Sequence, residues 1–433
     1  MAAPSAAFGL APVYLLGGRL NTLSAARSLG QRGVAVNVLD DRGEGSLVAR
    51  SRHCRHYADT PSGLSTPAWW LDVLRSRAGG AVVFPCSDTA LEFLARNRQE
   101  LESAGCLPIE ADGDALLLAL DKEATYARAR ALGVPAPKTI RLGAPEDVEL
   151  ALAALTFPFA VKPTSAHRFW QALRGDRELL AAWLAHPKGL VVEDERSFRA
   201  AVRPLTGLGI EVLATEVVVG PDSEYSSYYT YLDPDGEPLV HFTKRKTRQY
   251  PIHFGQGTFH MTAWLPDVAE LGLQLCLGLG LRGICNVEFK RDSRTGELQL
   301  IECNARLTAS DALERKAGLD LPWIAYLRAV GDPVTAPATL HYGDHQWLPL
   351  VDLKAFRAYR RAGELTTAAW LRSLAHRQTF TVFDPSDLGP IYASAVARTR
   401  STTRRLFMRP HVAASTAGTP EGEQRPEGSP RRP

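Results

Sequence analysis

The stretch that most restricts this chain is its start, where a short apolar run, Val13-Tyr-Leu-Leu16, is broken by Gly17-Gly18. Asn21 or Thr22 can then cap a helix in which Leu23, Ala26 and Leu29 recur at helical spacing up to Gly33. A second apolar run, 34–39, follows directly. Strand, helix and strand at these lengths form a βαβ unit, whose two strands must lie parallel with the glycine turn at the carboxyl end of the first. The pattern returns at Ala81-Val-Val-Phe84, which runs into Pro85-Cys-Ser-Asp88 and a helix carrying Leu91, Leu94 and Leu101. An open parallel sheet is therefore expected over roughly the first 115 residues.

Beyond Asp121 an alanine- and arginine-rich helix stops at Gly133-Val-Pro-Ala-Pro137. Phe159-Ala-Val-Lys162, 190–192 and a helix from about Ser197 make an α+β segment that ends near Gly209. Strands are then expected at 212–219, 224–232 and 238–244, the last two joined by the hairpin turn Asp233-Pro-Asp-Gly236. A second hairpin, 284–290 with 297–303, turns at Gly296. Trp347 and Trp370 lie in helical apolar spacing that packs back on the core, and a Pro/Gly/Glu/Arg-rich tail begins at Ala413. The fold class expected is α/β, with an α+β portion.

At 433 residues the chain suits two or three domains. Basic residues exceed acidic ones by only three, so bulk charge gives no reason to expect a nucleic-acid partner. The six cysteines show no CxxC pair and no finger-like spacing, which excludes a recognisable zinc site and fits a reducing compartment. No segment approaches twenty apolar residues, and 1–11 lacks the features of a signal peptide, so a cytoplasmic protein without membrane contact is expected.

Chemistry concentrates on the second hairpin. Strand side chains alternate faces, so Glu302, Asn304 and Arg306 point one way if the strand continues, and Glu288 faces them across the hairpin or diagonally. Two acids, an amide and a cation suit Mg²⁺ carrying nucleotide phosphates; a salt-bridged, solvated hairpin face is the plainer alternative.

Asn286-Val-Glu-Phe289 followed by Leu300-Ile-Glu-Cys-Asn-Ala-Arg306 resembles the metal-binding strands of the ATP-grasp enzymes. Further matches come in family order. Asp121-Lys122 resembles the lysine-bearing start of the ATP-binding region, Phe159-Ala-Val-Lys-Pro163 its phosphate-lysine strand, and Glu216-Val-Val-Val-Gly220 with Glu224 its adenine hinge and ribose contact. The resemblance covers about 10–334 and is nearest to the branch of carbamoyl-phosphate synthase, biotin carboxylase and D-aspartate ligase. It implies a Rossmann-like pre-ATP-grasp domain over 1–115, a linker and lid over 116–209 and an antiparallel core over 210–334. A helical or mixed extension over 335–412 and a disordered tail over 413–433 complete the expected layout.

The resemblance implies roles one residue at a time. Lys122 and Lys162 contact ATP phosphates, Glu216 and the Val219 backbone hold the adenine edge, and Glu224 accepts from ribose hydroxyls. Glu288, Glu302 and Asn304 hold Mg²⁺, with Mn²⁺ as an alternative. Two surface lysines and an exposed strand start at Glu224 are the plainer alternatives. The family's glycine-rich loop after the phosphate lysine is replaced by Thr164-Ser-Ala-His-Arg-Phe169, where His167 could reach phosphate.

The basic run Lys244-Arg-Lys-Thr-Arg248 before Gln249-Tyr-Pro251 could bind an anionic substrate or acyl phosphate. Alternation makes half of it solvated, so one or two of Lys244, Arg245, Lys246 and Arg248 are expected to act. With Arg306 they are the candidates for stabilising an oxyanion. The expected activity is that of a carboxylate–amine ligase with small-molecule substrates, in the manner of D-aspartate ligase, with a homodimer left open. A catalytically silent ATP-binding regulator and an NAD(P)-dependent oxidoreductase are the rival readings.

Overall fold

The computed structural model describes residues 10–40, 46–109, 113–184 and 188–395, and the side chains of 166–168 are not among them. The expected tail and the side chain of His167 therefore lie outside the described residues.

The first sheet is wholly parallel. Strands β1 (Val13–Leu16), β2 (Val36–Asp40), β3 (His56–Asp59), β4 (Val82–Pro85) and β5 (Leu107–Pro108) lie in the order β3-β2-β1-β4-β5. Helices cover both faces of such a sheet, so its central strands are continuous apolar runs, and Leu15, Leu16, Val36, Val38 and Val82 are fully buried. Strand order reverses beside β1, which puts the crevice at the carboxyl ends of β1 and β4, between Gly17 and Ser87.

The second sheet is antiparallel, with order β6-β9-β7-β8 built from β6 (Thr139–Leu142), β7 (Phe159–Pro163), β8 (Leu190–Val192) and β9 (Val212–Glu216). It has its own apolar core, in which Phe159 is packed edge-on by Phe198 at 4.8 Å, separate from the core shared by the other two sheets. One expectation is corrected here. The strand at 212 does not open the core sheet; it pairs with β6 and β7, so the lid extends past 209. Burial of its Val212 and Ala214 against that separate core decides the pairing.

The third sheet runs β14-β13-β10-β11-β12-β15-β16. Its strands are β10 (Tyr225–Leu232), β11 (Phe242–Tyr250), β12 (Gln256–Thr262), β13 (Gly283–Arg291), β14 (Leu298–Asn304), β15 (His345–Trp347) and β16 (Gln378–Thr379). The turn after β10 forms as expected, with Asp233 Oδ1 accepting the amides of Asp235 and Glu237 at 2.9 Å. Only an isolated bridge, Leu232 to Pro238, follows it, and β11 starts at Phe242 and continues to Tyr250. The basic run is thus mid-strand and not at a strand end.

The chain after 334 extends this sheet by β15 and β16 and lays a helix, Pro349–Arg361, against β11 and β12. Its anchor is Asp352, fully buried, which accepts two bonds from Arg248 (2.8 and 2.9 Å) and the indole N–H groups of Trp347 and Trp370. Arg248 is a structural fastener, not an anion site. Among the described residues no helix is long and apolar enough to cross a membrane.

Candidate nucleotide and metal site

Strand pairing sets out the site. Glu288 on β13 stands directly opposite Glu302 on β14, and Asn286 opposite Asn304. On the other side Glu288 meets Ser227 of β10, which in turn meets Lys244 of β11. One row, Glu302-Glu288-Ser227-Lys244, therefore crosses a single face of the core sheet. The neighbouring row carries Lys290, Tyr225 and Lys246 on the same face, because side chains two residues apart along a strand point together.

Two carboxylates this close repel unless cations intervene. Lys122 donates to Glu302 Oε1 at 2.9 Å, and Lys246 pairs with Glu288. The ion pair with Lys122 pulls the Glu302 carboxyl well below the usual carboxylate range against the opposing effect of burial, and Glu302 raises the lysine in return. Lys122 is held at the first turn of helix Lys122–Ala131, where Asp121 caps the Ala124 amide. Arg141 of β6 bonds Asp121 at 2.8 Å and Glu123 at 2.7 Å, so the lid fixes the helix start. Tyr126 on the same helix donates to Ile301 O at 2.6 Å and locks it to β14.

More lysines converge than the acids can neutralise. Burial, then the charge of Lys122, lowers Lys162 on β7 to about 8. Burial likewise lowers Lys188 and Lys290. Gly189 allows this crowding: its φ is +139°, and a Cβ there would stand 2.8 Å from Lys162 Cγ and 2.9 Å from Val161 O. A cluster of partly desolvated ammonium groups around two acids is a cradle for a polyanion.

A cleft of about 260 Å³ opens beside this cluster, lined by Lys162, Lys290, Tyr126 and Ile301, by the run 216–220 and by His253 and Phe254. Glu216 Oε2 accepts the Lys138 amide at 2.9 Å, which ties the run to the lid, and Val219 N lies 3.4 Å from Asp292 Oδ2. Glu216, Val219 and Lys162 thus share one cleft. Glu224 ends the short turn Asp222–Glu224, directly before the cleft-lining Tyr225, so its ribose contact stays a proposal.

The basic run divides as alternation dictates. Lys246 reaches the metal row. Arg245 lies on the other face of β11 and is withdrawn as a catalytic candidate. Lys244 shares the row but is 2% exposed, bonded to Ser310 and 3.1 Å from Glu314 Oε1, so in this state its charge is spent inside the protein. Arg306 lies beyond the end of β14 and is paired with Asp88 at 2.6 Å, joining the metal strand to the β4 turn. Lys188, Lys290, Tyr126 and His253 escaped sequence reasoning. Lys290 was findable, being two residues beyond Glu288 on the same face; Lys188 carries no motif signal.

Among the described residues no group of three or more His, Cys, Asp or Glu could hold a metal ion. Two carboxylates and an amide oxygen nevertheless fit Mg²⁺, which takes one or two carboxylates and completes its shell with phosphate and water. Asn304 spends its NH₂ on Asn286 Oδ1 at 3.2 Å, so its oxygen is the atom it would offer.

The Gly17-Gly18 turn is shaped against a dinucleotide. A Cβ on Gly18 would fall 1.5 Å from Asp40 Oδ2, so a buried carboxylate packs on the backbone that a pyrophosphate would have to approach.

Residues 266–336 match the family model described as the carbamoyl-phosphate synthase L chain, ATP binding domain. The carbamoyl phosphate synthase large chain of Thermus thermophilus is 26% identical over 53% of this chain and 21% of its own length. The chain thus spans about a fifth of that relative. A D-alanine–D-alanine ligase of Ectopseudomonas mendocina is 29% identical over 54% of this chain and 72% of its own. Among solved structures, the biotin carboxylase–β,γ-ATP complex of Campylobacter jejuni superposes with a TM-score of 0.57 at 16% identity, covering 77% of this chain and 74% of that one. Over 266–336 the chain is thus similar to that ATP-binding domain, and its fold is similar to that of the biotin carboxylase.

Proposed function

We propose that this protein is an ATP-dependent, ADP-forming carboxylate–amine ligase that works through an acyl phosphate. The observation that carries the reading is the pair Glu288 and Glu302, opposed on adjacent strands and bordered by Lys122, Lys246, Lys162 and Lys290 next to the cleft. A bound Mg²⁺, held by Glu288, Glu302 and Asn304, would supply charge neutralisation for the triphosphate. The residues of the chain do the rest. Glu216 and the Val219 backbone face the base, while Lys162 and Lys122 neutralise the phosphates so that an anionic carboxylate can approach.

In the first step a substrate carboxylate oxygen bonds to the γ-phosphorus as the bond to the β-phosphate oxygen breaks and ADP departs. An amine nitrogen then bonds to the acyl carbon, the nitrogen loses a proton, and inorganic phosphate leaves. Lys246, paired with Glu288, and Arg306, two residues beyond Asn304, would stabilise the oxyanion of that second step. The printed name of the D-alanine–D-alanine ligase relative supports an amino acid as one substrate. D-Aspartate as the acid stays within this proposal as its narrowest form.

The test is ADP release with Mg-ATP across a panel of amino acids and small carboxylates, with the product amide identified by mass. Stimulated turnover by an acid and amine together supports ligation. ATP binding with no stimulation anywhere in the panel would leave the silent regulator in its place.

A further inference from the structure

Neither step of the proposed reaction employs the polar side chains that stand beside the metal row on the core sheet. Tyr229 of β10 lies opposite Asn286 of β13, which lies opposite Asn304 of β14, so these three form the next row on the same face. The Tyr229 hydroxyl is 3.0 Å from Thr308 Oγ1 and 3.1 Å from Ser310 Oγ, and those two hydroxyls are 3.0 Å apart. Ser310 Oγ donates to Glu314 Oε1 at 2.8 Å. Lys244 bonds Ser310 and stands 3.1 Å from the same carboxylate oxygen. Thr308, two residues past Arg306, is half-buried, whereas Tyr229 and Ser310 are buried and Glu314 is only 1% exposed. A run of hydroxyls therefore leads from the end of the metal strand to a carboxylate closed off from solvent.

That carboxylate keeps capacity to spare. Glu314 Oε2 has no hydrogen-bond partner among the described residues, and neither has Oδ1 of Asp311, one helical turn earlier and fully buried. Burial, then the charge of Glu314, raises the Asp311 carboxyl well above its usual range, so Asp311 is held neutral and the ion pair with Lys244 belongs to Glu314 alone. A buried carboxylate oxygen left without a donor is costly, and a group kept in that condition calls for a use.

We propose that Glu314 is the proton acceptor of the amide-forming step, reached from the amine through Thr308 and Ser310, with Tyr229 holding both hydroxyls in line. The inference rests on the ligase reading with an amino acid as the amine, which arrives as an ammonium and cannot attack until a proton has left. One hydrogen moves at each place. An N–H bond breaks and its electron pair stays on nitrogen; Thr308 Oγ1 takes that proton and passes its own to Ser310, which passes its own to Glu314. The freed nitrogen then bonds to the acyl carbon and phosphate departs. Protonated Glu314 leaves the Lys244 ammonium buried without a counter-charge, so the acceptor gives the proton back along the same hydroxyls and is reset for the next turnover.

The test compares two nucleophiles on the full chain at neutral pH with Mg-ATP: the amino acid and acid that together give the strongest turnover in the panel, and that acid with hydroxylamine. Hydroxylamine is uncharged at this pH and attacks without first losing a proton, so it traps the acyl phosphate as a hydroxamate whether or not an acceptor is present. Glu314→Gln is expected to lower kcat for the amide about 10²-fold, the usual worth of a positioned base, with hydroxamate formation within about twofold of the parent. Ser310→Ala interrupts the hydroxyl run while both members of the Lys244–Glu314 pair remain, and it should give the same split even if Glu314→Gln fails to fold. Amide formation at the parent rate in these variants would overturn the inference, and so would an equal loss of both products, which marks a purely structural role. A parent that forms neither product would remove the ligase reading and this inference with it.

Discussion

Glu302 and Glu288 face each other across β13 and β14, and each is claimed by a lysine from a different element: Lys122 from the first turn of a helix, Lys246 from β11. Each carboxylate thereby has a cationic partner without a metal, and on the proposed reading phosphates would replace the carboxylates as the lysines' partners. On the proposed reading, nucleotide and metal together would exchange one set of ion pairs for another without leaving a charge unpaired.

Proton uptake should accompany nucleotide binding. Without ligand Lys162 titrates near 8, below its ordinary 10.5, so near pH 8 a large share of molecules hold it neutral. A triphosphate favours the charged form, so binding takes up protons there and affinity falls as pH rises through that value. Calorimetry in buffers of different ionisation heat measures the uptake, and Lys162→Met should reduce it. The same shift fixes the sign for stability. The unfolded chain binds more protons between about 8 and 10.5, so the ligand-free protein should gain stability with pH in that window.

The two faces of β11 should separate in a mutational comparison. Lys246→Met removes the cation paired with Glu288 and is expected to lower kcat about 10²-fold, in the range seen when one preorganised charge is lost. Arg245→Ala, on the opposite face, should stay within about twofold of the parent, as surface changes away from a site do. Steady-state kinetics on both variants decides it.

Asp352 should be the stability hot spot of the C-terminal segment. Asp352→Ala leaves Arg248 buried and unpaired and strips two indoles of their acceptor. A loss of about 3–5 kcal/mol in chemical denaturation is expected, as for breaking a buried pair from one side.

Much of this was legible in the chain because strand alternation converts spacing into geometry. Val13-Tyr-Leu-Leu16 with its glycine turn could form little except a parallel βαβ unit, and the hairpin that carries Glu288 and Glu302 was legible, while their direct opposition is set by a register shift between Glu288 and Phe289. The lid boundary was not legible, because β9 is as apolar as a core strand and only a second, separate core decides its partners. Lys244 and Arg248 were indistinguishable from site cations until the residues that neutralise them, Glu314 and Asp352, arrived from more than sixty positions away. His253, which lines the cleft, was missed because a left-handed histidine has no sequence signature.

The most direct measurement is ADP formation and nucleotide affinity of the Glu288→Gln, Glu302→Gln double variant against the parent, with Mg²⁺ present. Loss of metal-supported phosphoryl transfer should cut turnover by about 10³-fold or more and abolish the dependence of nucleotide affinity on Mg²⁺. A double variant that binds Mg-ATP and forms ADP as the parent does would contradict the assignment of these two carboxylates to the metal.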